Sequence, residues 1–145
     1  MPQFRFRLAS VLRFRDHVKR QKQSELALLN EKSAELRAEI ESLEHECDNT
    51  VEFSQNGTDS ILPAEEFRIR ADYVSSLLLR LMEKRALLAE LEKQLRAKRE
   101  EVIEAMRAVK TLEQLRTRLA EKFWRDLQVA EQKHNDEIGL RKFFE

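Results

Sequence analysis

From position 74 onward an apolar side chain recurs every seventh residue: Val74, Leu81, Leu88, Leu95, Val102 and Val109. Leu77, Leu91, Ala105 and Leu112 stand three places further on. Residues 64–138 contain neither glycine nor proline, the two residues that most readily end a helix. Period-seven apolar spacing over such a stretch predicts one long helix that presents a seam to a partner helix. At 1.5 Å per residue it would extend roughly 110 Å. A helix of that kind encloses no pocket, so function is expected in contacts rather than in chemistry.

A second stretch without breakers covers residues 3–56. Leu29, Leu36 and Leu43 form one column of its heptad, and Leu26, Ser33, Ile40 and Cys47 the other. Leu8, Val11, Leu12 and Val18 keep a looser helical spacing, interrupted by Arg15, Lys19 and Lys22. Between the two stretches lies Ser54-Gln-Asn-Gly-Thr-Asp-Ser60, in which Asn56-Gly57 supplies a turn. Pro63 suits the first helical position, with Glu65 and Glu66 in the first turn and Gly139 marking the far end. The pattern therefore predicts an all-α fold: a long antiparallel two-helix coiled-coil hairpin with an overhanging C-terminal helix. It forms one domain over 1–145, with helix one at about 6–53, the turn at about 54–62 and helix two at about 63–139.

Charge supports the antiparallel sense. Formal net charge is zero, yet residues 1–23 hold seven basic and one acidic side chains, and residues 24–66 hold two basic and twelve acidic. If Phe53 lies beside Ala64, the acidic stretch 31–52 faces 67–99, which carries nine basic and four acidic residues. The basic N-terminus then faces the more acidic 100–137. Exposed pairs contribute only tenths of a kcal/mol each, but they select an orientation. This alignment leaves everything beyond Glu113 without an intramolecular partner. A wider connection, with 63–76 as part of the bend or a separate short helix, shortens that overhang. Either way Leu115, Leu119, Phe123, Trp124 and Leu127 leave one side of the C-terminal segment apolar, as a binding surface would be.

Composition narrows the class further. Charged residues make up 37% of the chain, with only two glycines and two prolines, the balance of a coiled coil rather than a globular enzyme. One cysteine excludes an internal disulfide framework and suits a reducing compartment. No apolar run is long enough to span a bilayer, and arginines interrupt the apolar residues from Phe4 to Phe14, so a cytoplasmic chain is expected. His45 and Cys47 stand two apart, on different sides of a helix, so Cys47 reads as a small seam residue and no metal or other cofactor is expected. There is no phosphate-binding glycine loop and no nucleophile with an orienting base, so no catalysis is expected. Interleaved charges in helix two and the absence of a groove-reading motif argue against nucleic acid.

Two segments are left as contact surfaces. Phe4, Phe6, Leu8 and Leu12, interleaved with arginines, form an aromatic and basic tip suited to docking on a protein. Just after the turn stands Tyr73 with Leu77, and Leu78, Leu79 and Leu81 around Leu77 provide more apolar surface than one seam covers.

The N-terminal Phe4-x-Phe6-x-Leu8-x-x-Val11-Leu12-x-x-Arg15, the acidic first helix, the Asn-Gly turn and a long second helix with Leu112-Glu-x-Leu115 together resemble the FliJ family. These are coiled-coil proteins of the bacterial flagellar type III export apparatus. The resemblance implies a non-enzymatic, stalk-like hairpin at the cytoplasmic face of the inner membrane. Its implied partners are the hexameric export ATPase, the export gate and export chaperones. By position, the ATPase end would comprise Phe4, Phe6, Leu8, Leu12, Phe123, Trp124 and Leu127. The gate patch would include Tyr73 and Leu77. The equivalent stalk of a virulence injectisome, or a homodimeric scaffold, are alternatives with the same physics, and weak self-association fits either.

Overall fold

Our computed structural model describes residues 2–56 and 63–145, with 54–56 described by their backbone. Two long helices, α1 (Ala9–Asn56) and α2 (Ala64–Phe144), pack against each other as an all-α helical hairpin, and no strand occurs among the described residues. The expected turn at Asn56-Gly57 falls largely outside the described residues, although α1 itself runs through 54–56. The chain divides into two compact units, Met1–Lys22 with Val102–Glu145, and Gln23–Glu101.

In the unit Gln23–Glu101 the expected seam is the buried one. Ser33, Ile40 and Cys47 of α1 and Leu77, Leu81 and Leu95 of α2 are buried, and the other column members are half-buried. Two lysines, Lys84 and Lys98, occupy positions in the same period-seven column as Leu77 and Leu91. Each reaches a carboxylate of α1: Lys84 to Glu39 at 2.8 Å and Lys98 to Glu25 at 2.7 Å. Arg85–Glu44 at 2.6 Å and Arg37–Glu92 at 3.3 Å flank them. The order of these pairs along both helices makes the packing antiparallel.

The register differs from the expected one. Setting Phe53 beside Ala64 would place Lys98 opposite Lys19, and Lys84 opposite Ser33. The observed pairing slides Glu25 and Glu39 under the two lysines instead, replacing a repulsion by two ion pairs. A polar residue at a seam position sets register in this way, at some expense of stability. The guanidinium of Arg70 lies 4.7 Å over the Phe53 ring, in keeping with the same slide.

Hydrogen bonds to Glu25 and then Glu101 raise the pKa of Lys98, and the bond to Glu46 raises that of the Tyr73 hydroxyl. Both groups hold their proton more tightly folded than unfolded, where the values are about 10.4 and 10. The stability they contribute is therefore complete below about pH 10 and is lost as pH climbs through the raised values. Thermal melts between about pH 8 and pH 11 are expected to show a falling midpoint above pH 10. The fall should be shallower in a Lys98→Met, Tyr73→Phe variant; equal slopes would remove these two groups as the cause.

In the other unit, Val102 and Val109 are buried, with Leu8, Leu12, Val18, Ala105, Ala108 and Leu112 half-buried around them. Helix one was expected from about residue 6, but residues 2–6 are not helical and α1 starts at Ala9. Along this segment Phe4, Phe6 and Leu8 are covered while Gln3, Arg5 and Arg7 are exposed. Cover on both Phe4 and Phe6 fits a non-helical backbone there, since a helix would place 4 and 6 on different sides.

Helix two does not stop at Gly139 but continues to Phe144, with Arg141 and Lys142 in its last turn. No glycine among the described residues has positive φ, so Gly139 is an ordinary helical residue. A Cβ there would meet nothing within 4 Å. Gly139→Ala is therefore expected to strengthen the terminal turns by about 0.5–1 kcal/mol, read as slower amide hydrogen exchange over residues 132–144. Unchanged exchange would count against a helical Gly139.

Candidate partner-binding surfaces

The first surface lies in the unit that carries both termini. The non-helical residues 2–6, followed by a turn at 7–8, bring the Phe4 ring to 5.8 Å from Phe123, and Phe123 packs edge-on against Trp124 at 5.3 Å. Trp124 remains 51% exposed. Phe4, Glu113, Arg116, Thr117, Ala120, Glu121 and Trp124 line a shallow groove of about 590 Å³ beside this cluster. The expected site residues Phe4, Phe123 and Trp124 are thus brought together. Phe6, Leu8, Leu12 and Leu127 are half-buried along the same helix pair.

The expectation that α2 is unpaired from residue 114 is corrected here. Cover on α2 extends to Phe123, on which the Phe4 ring of the N-terminal segment lies. What lacks a cover is residues 128–145, all of them exposed. Val129, Ile138, Leu140, Phe143 and Phe144 are the apolar members, Phe143 at 83% exposure, with the two phenylalanine rings edge-on at 5.8 Å. The expected overhang thus holds from Gln128 onward, and only its last residues were left out, because Gly139 suggested that the helix had ended. The adjacent Phe143-Phe144 pair was the signal that could have found them.

The second surface lies on α2 in the unit Gln23–Glu101. Tyr73 is exposed and its hydroxyl donates a hydrogen bond to the Glu46 carboxylate of α1, so it bridges the helices at their surface. Leu77 does not belong to this surface. At 1% exposure it is the most buried large side chain described, because its column position points into the seam. The exposed apolar side chains that follow stand on another side of α2, Met82 lying about half a turn round the helix from Tyr73. Leu78 (53% exposed), Leu79 and Met82 (65%) stand open, with exposed Phe67 and Ile69 about two to four turns earlier. Leu78 and Met82 share one face with Ala71 and Ala89.

Cys47 is buried in the seam as a free thiol. No helix among the described residues is long and apolar enough to cross a membrane. A family model described as Flagellar FliJ protein matches residues 4–145. No curated protein and no solved structure matches the chain.

Proposed function

The chain belongs to the FliJ family of flagellar proteins, and on that premise we propose that it is the stalk of the export ATPase. Membership places it in a family of non-catalytic components associated with flagellar type III export. The finer reading is that the end bearing Phe4, Phe123 and Trp124 docks in the ring of the hexameric ATPase. The observation that supports it is a half-exposed aromatic cluster, built from both chain ends, beside an open groove. Exposed Trp and Phe next to a partly wet groove are the groups that anchor protein interfaces.

One asymmetric stalk cannot touch six subunits equally. It therefore favours the nucleotide state of whichever subunits it contacts best, and its rotation passes that preference round the ring. The stalk supplies differential affinity and hydrolyses nothing. On this reading the exposed Leu78–Leu79–Met82 face meets the export gate, and the exposed tail beyond Gln128 is the surface left for export chaperones. The protein works in the cytoplasm, next to the inner membrane. The test is a binding assay of the purified chain against the purified export ATPase and the cytoplasmic part of the gate. Saturable binding to both, with a rise in ATP hydrolysis, is expected. No binding to either would remove the stalk reading.

A further inference from the structure

A separate groove in the unit Met1–Lys22 with Val102–Glu145 has an apolar floor and a cationic rim. It measures about 450 Å³ and is lined by Lys19, Ile103, Met106, Arg107, Val109, Lys110 and Glu113. Ile103 and Met106 are each about half exposed, and Val109 closes the bottom. Lys19 is engaged with Asp16 at 3.1 Å, whereas Arg107 and Lys110 make no ion pair among the described residues. Such a groove selects an amphipathic helix with carboxylates along its edge.

The chain itself carries one. On α1, Ala27, Glu31, Ala34 and Ala38 recur at helical spacing, with Leu28 and Glu35 alongside. All six are exposed, on the side of α1 away from Ser33 and Ile40. Glu31 and Glu35 make no ion pair among the described residues. Small alanines let a helix come close to the Ile103–Met106 floor, while the two glutamates meet Arg107 and Lys110.

We propose that this groove binds the Ala27–Ala38 face of a second copy of the chain. The complementarity is local: Arg107 and Lys110 on the groove rim against Glu31 and Glu35 on the helix face. Screening weakens contacts between exposed charges, so the association is salt-sensitive. It does not depend on the ATPase reading and involves neither Trp124 nor the Tyr73 surface.

The experiment is sedimentation of the full chain at low and high salt, with two charge-reversed variants whose folding is checked by circular dichroism. The first variant is Arg107→Glu with Lys110→Glu; the second is Glu31→Lys with Glu35→Lys. Wild type is expected to approach twice its monomer mass at about 0.05 M salt and to dissociate at about 0.5 M. Each variant alone should be monomeric at low salt, because its groove and its own helix face then carry the same sign. Mixed together they should restore the doubled mass, since each groove then meets an oppositely charged face. A wild type that stays monomeric at low salt overturns the proposal. So does a dimer that survives both reversals, which would point to the tail at Phe143 and Phe144 instead.

Discussion

Leu77→Ala is expected to lower the free energy of unfolding by about 3 kcal/mol, within the 2–5 kcal/mol usual for a buried leucine. Leu77 is 1% exposed in a seam only one stripe wide per helix, so few neighbours are free to close the cavity. Leu78→Ala with Met82→Ala removes more side chain but from an open face, and should change stability by no more than about 0.5 kcal/mol. Binding to the gate is expected to respond in the opposite way. The Leu78, Met82 variant should lose it while staying folded, and the Leu77 variant should keep it under conditions where it remains helical. Urea unfolding followed at 222 nm gives the first quantity and a pulldown with the gate's cytoplasmic part the second. Equal stability loss in the two variants would mean that the Leu78–Met82 face is covered and Leu77 is not special.

Phe123→Ala with Trp124→Ala is expected to weaken binding to the export ATPase by at least about 30-fold, the weight of a central aromatic anchor near 2 kcal/mol. Stimulation of ATP hydrolysis should fall with it. Helical circular dichroism should be retained, because both residues lie at the edge of the seam and α2 keeps its own backbone hydrogen bonds. Phe4→Ala alone should act in the same direction but more weakly, since it removes the cover of Phe123 and leaves Trp124 in place. A double variant that still stimulates the ATPase fully would take the docking role away from this end.

The physics explains which parts of this were legible in the sequence. A seam of period seven is written in single residues, so Leu77, Leu81, Leu95, Val102 and Val109 could be assigned to the core without any coordinates. Register is a relation between two distant segments, and it turned on Lys84 and Lys98, which the apolar pattern skips. They read as gaps in the column, when they are the members that choose among alignments. The non-helical N-terminal segment was legible as Phe-Arg-Phe-Arg-Leu alternation, but the neighbouring helical spacing from Leu8 to Val18 drew the helix back over it. Gly139 misled for a different reason. One glycine costs a helix about 1 kcal/mol, too little to end one supported by good helix formers on both sides. At the candidate sites, the family resemblance grouped Phe123 and Trp124 with the N-terminal phenylalanines, whereas spacing left both on an unpaired overhang; in the structure the Phe4 ring lies on Phe123. By contrast Leu77, carried over by resemblance to the gate patch, proved to be core, while Leu78 and Met82 are exposed.

The measurement closest to the central claim is site-specific photo-crosslinking, with a photoreactive amino acid introduced in turn at positions 124, 78 and 93 of the full chain mixed with the export ATPase hexamer. The stalk reading predicts an adduct to the ATPase from position 124, and none from positions 78 and 93, which lie in the other unit of the chain. An adduct from position 78 with none from position 124 would contradict it.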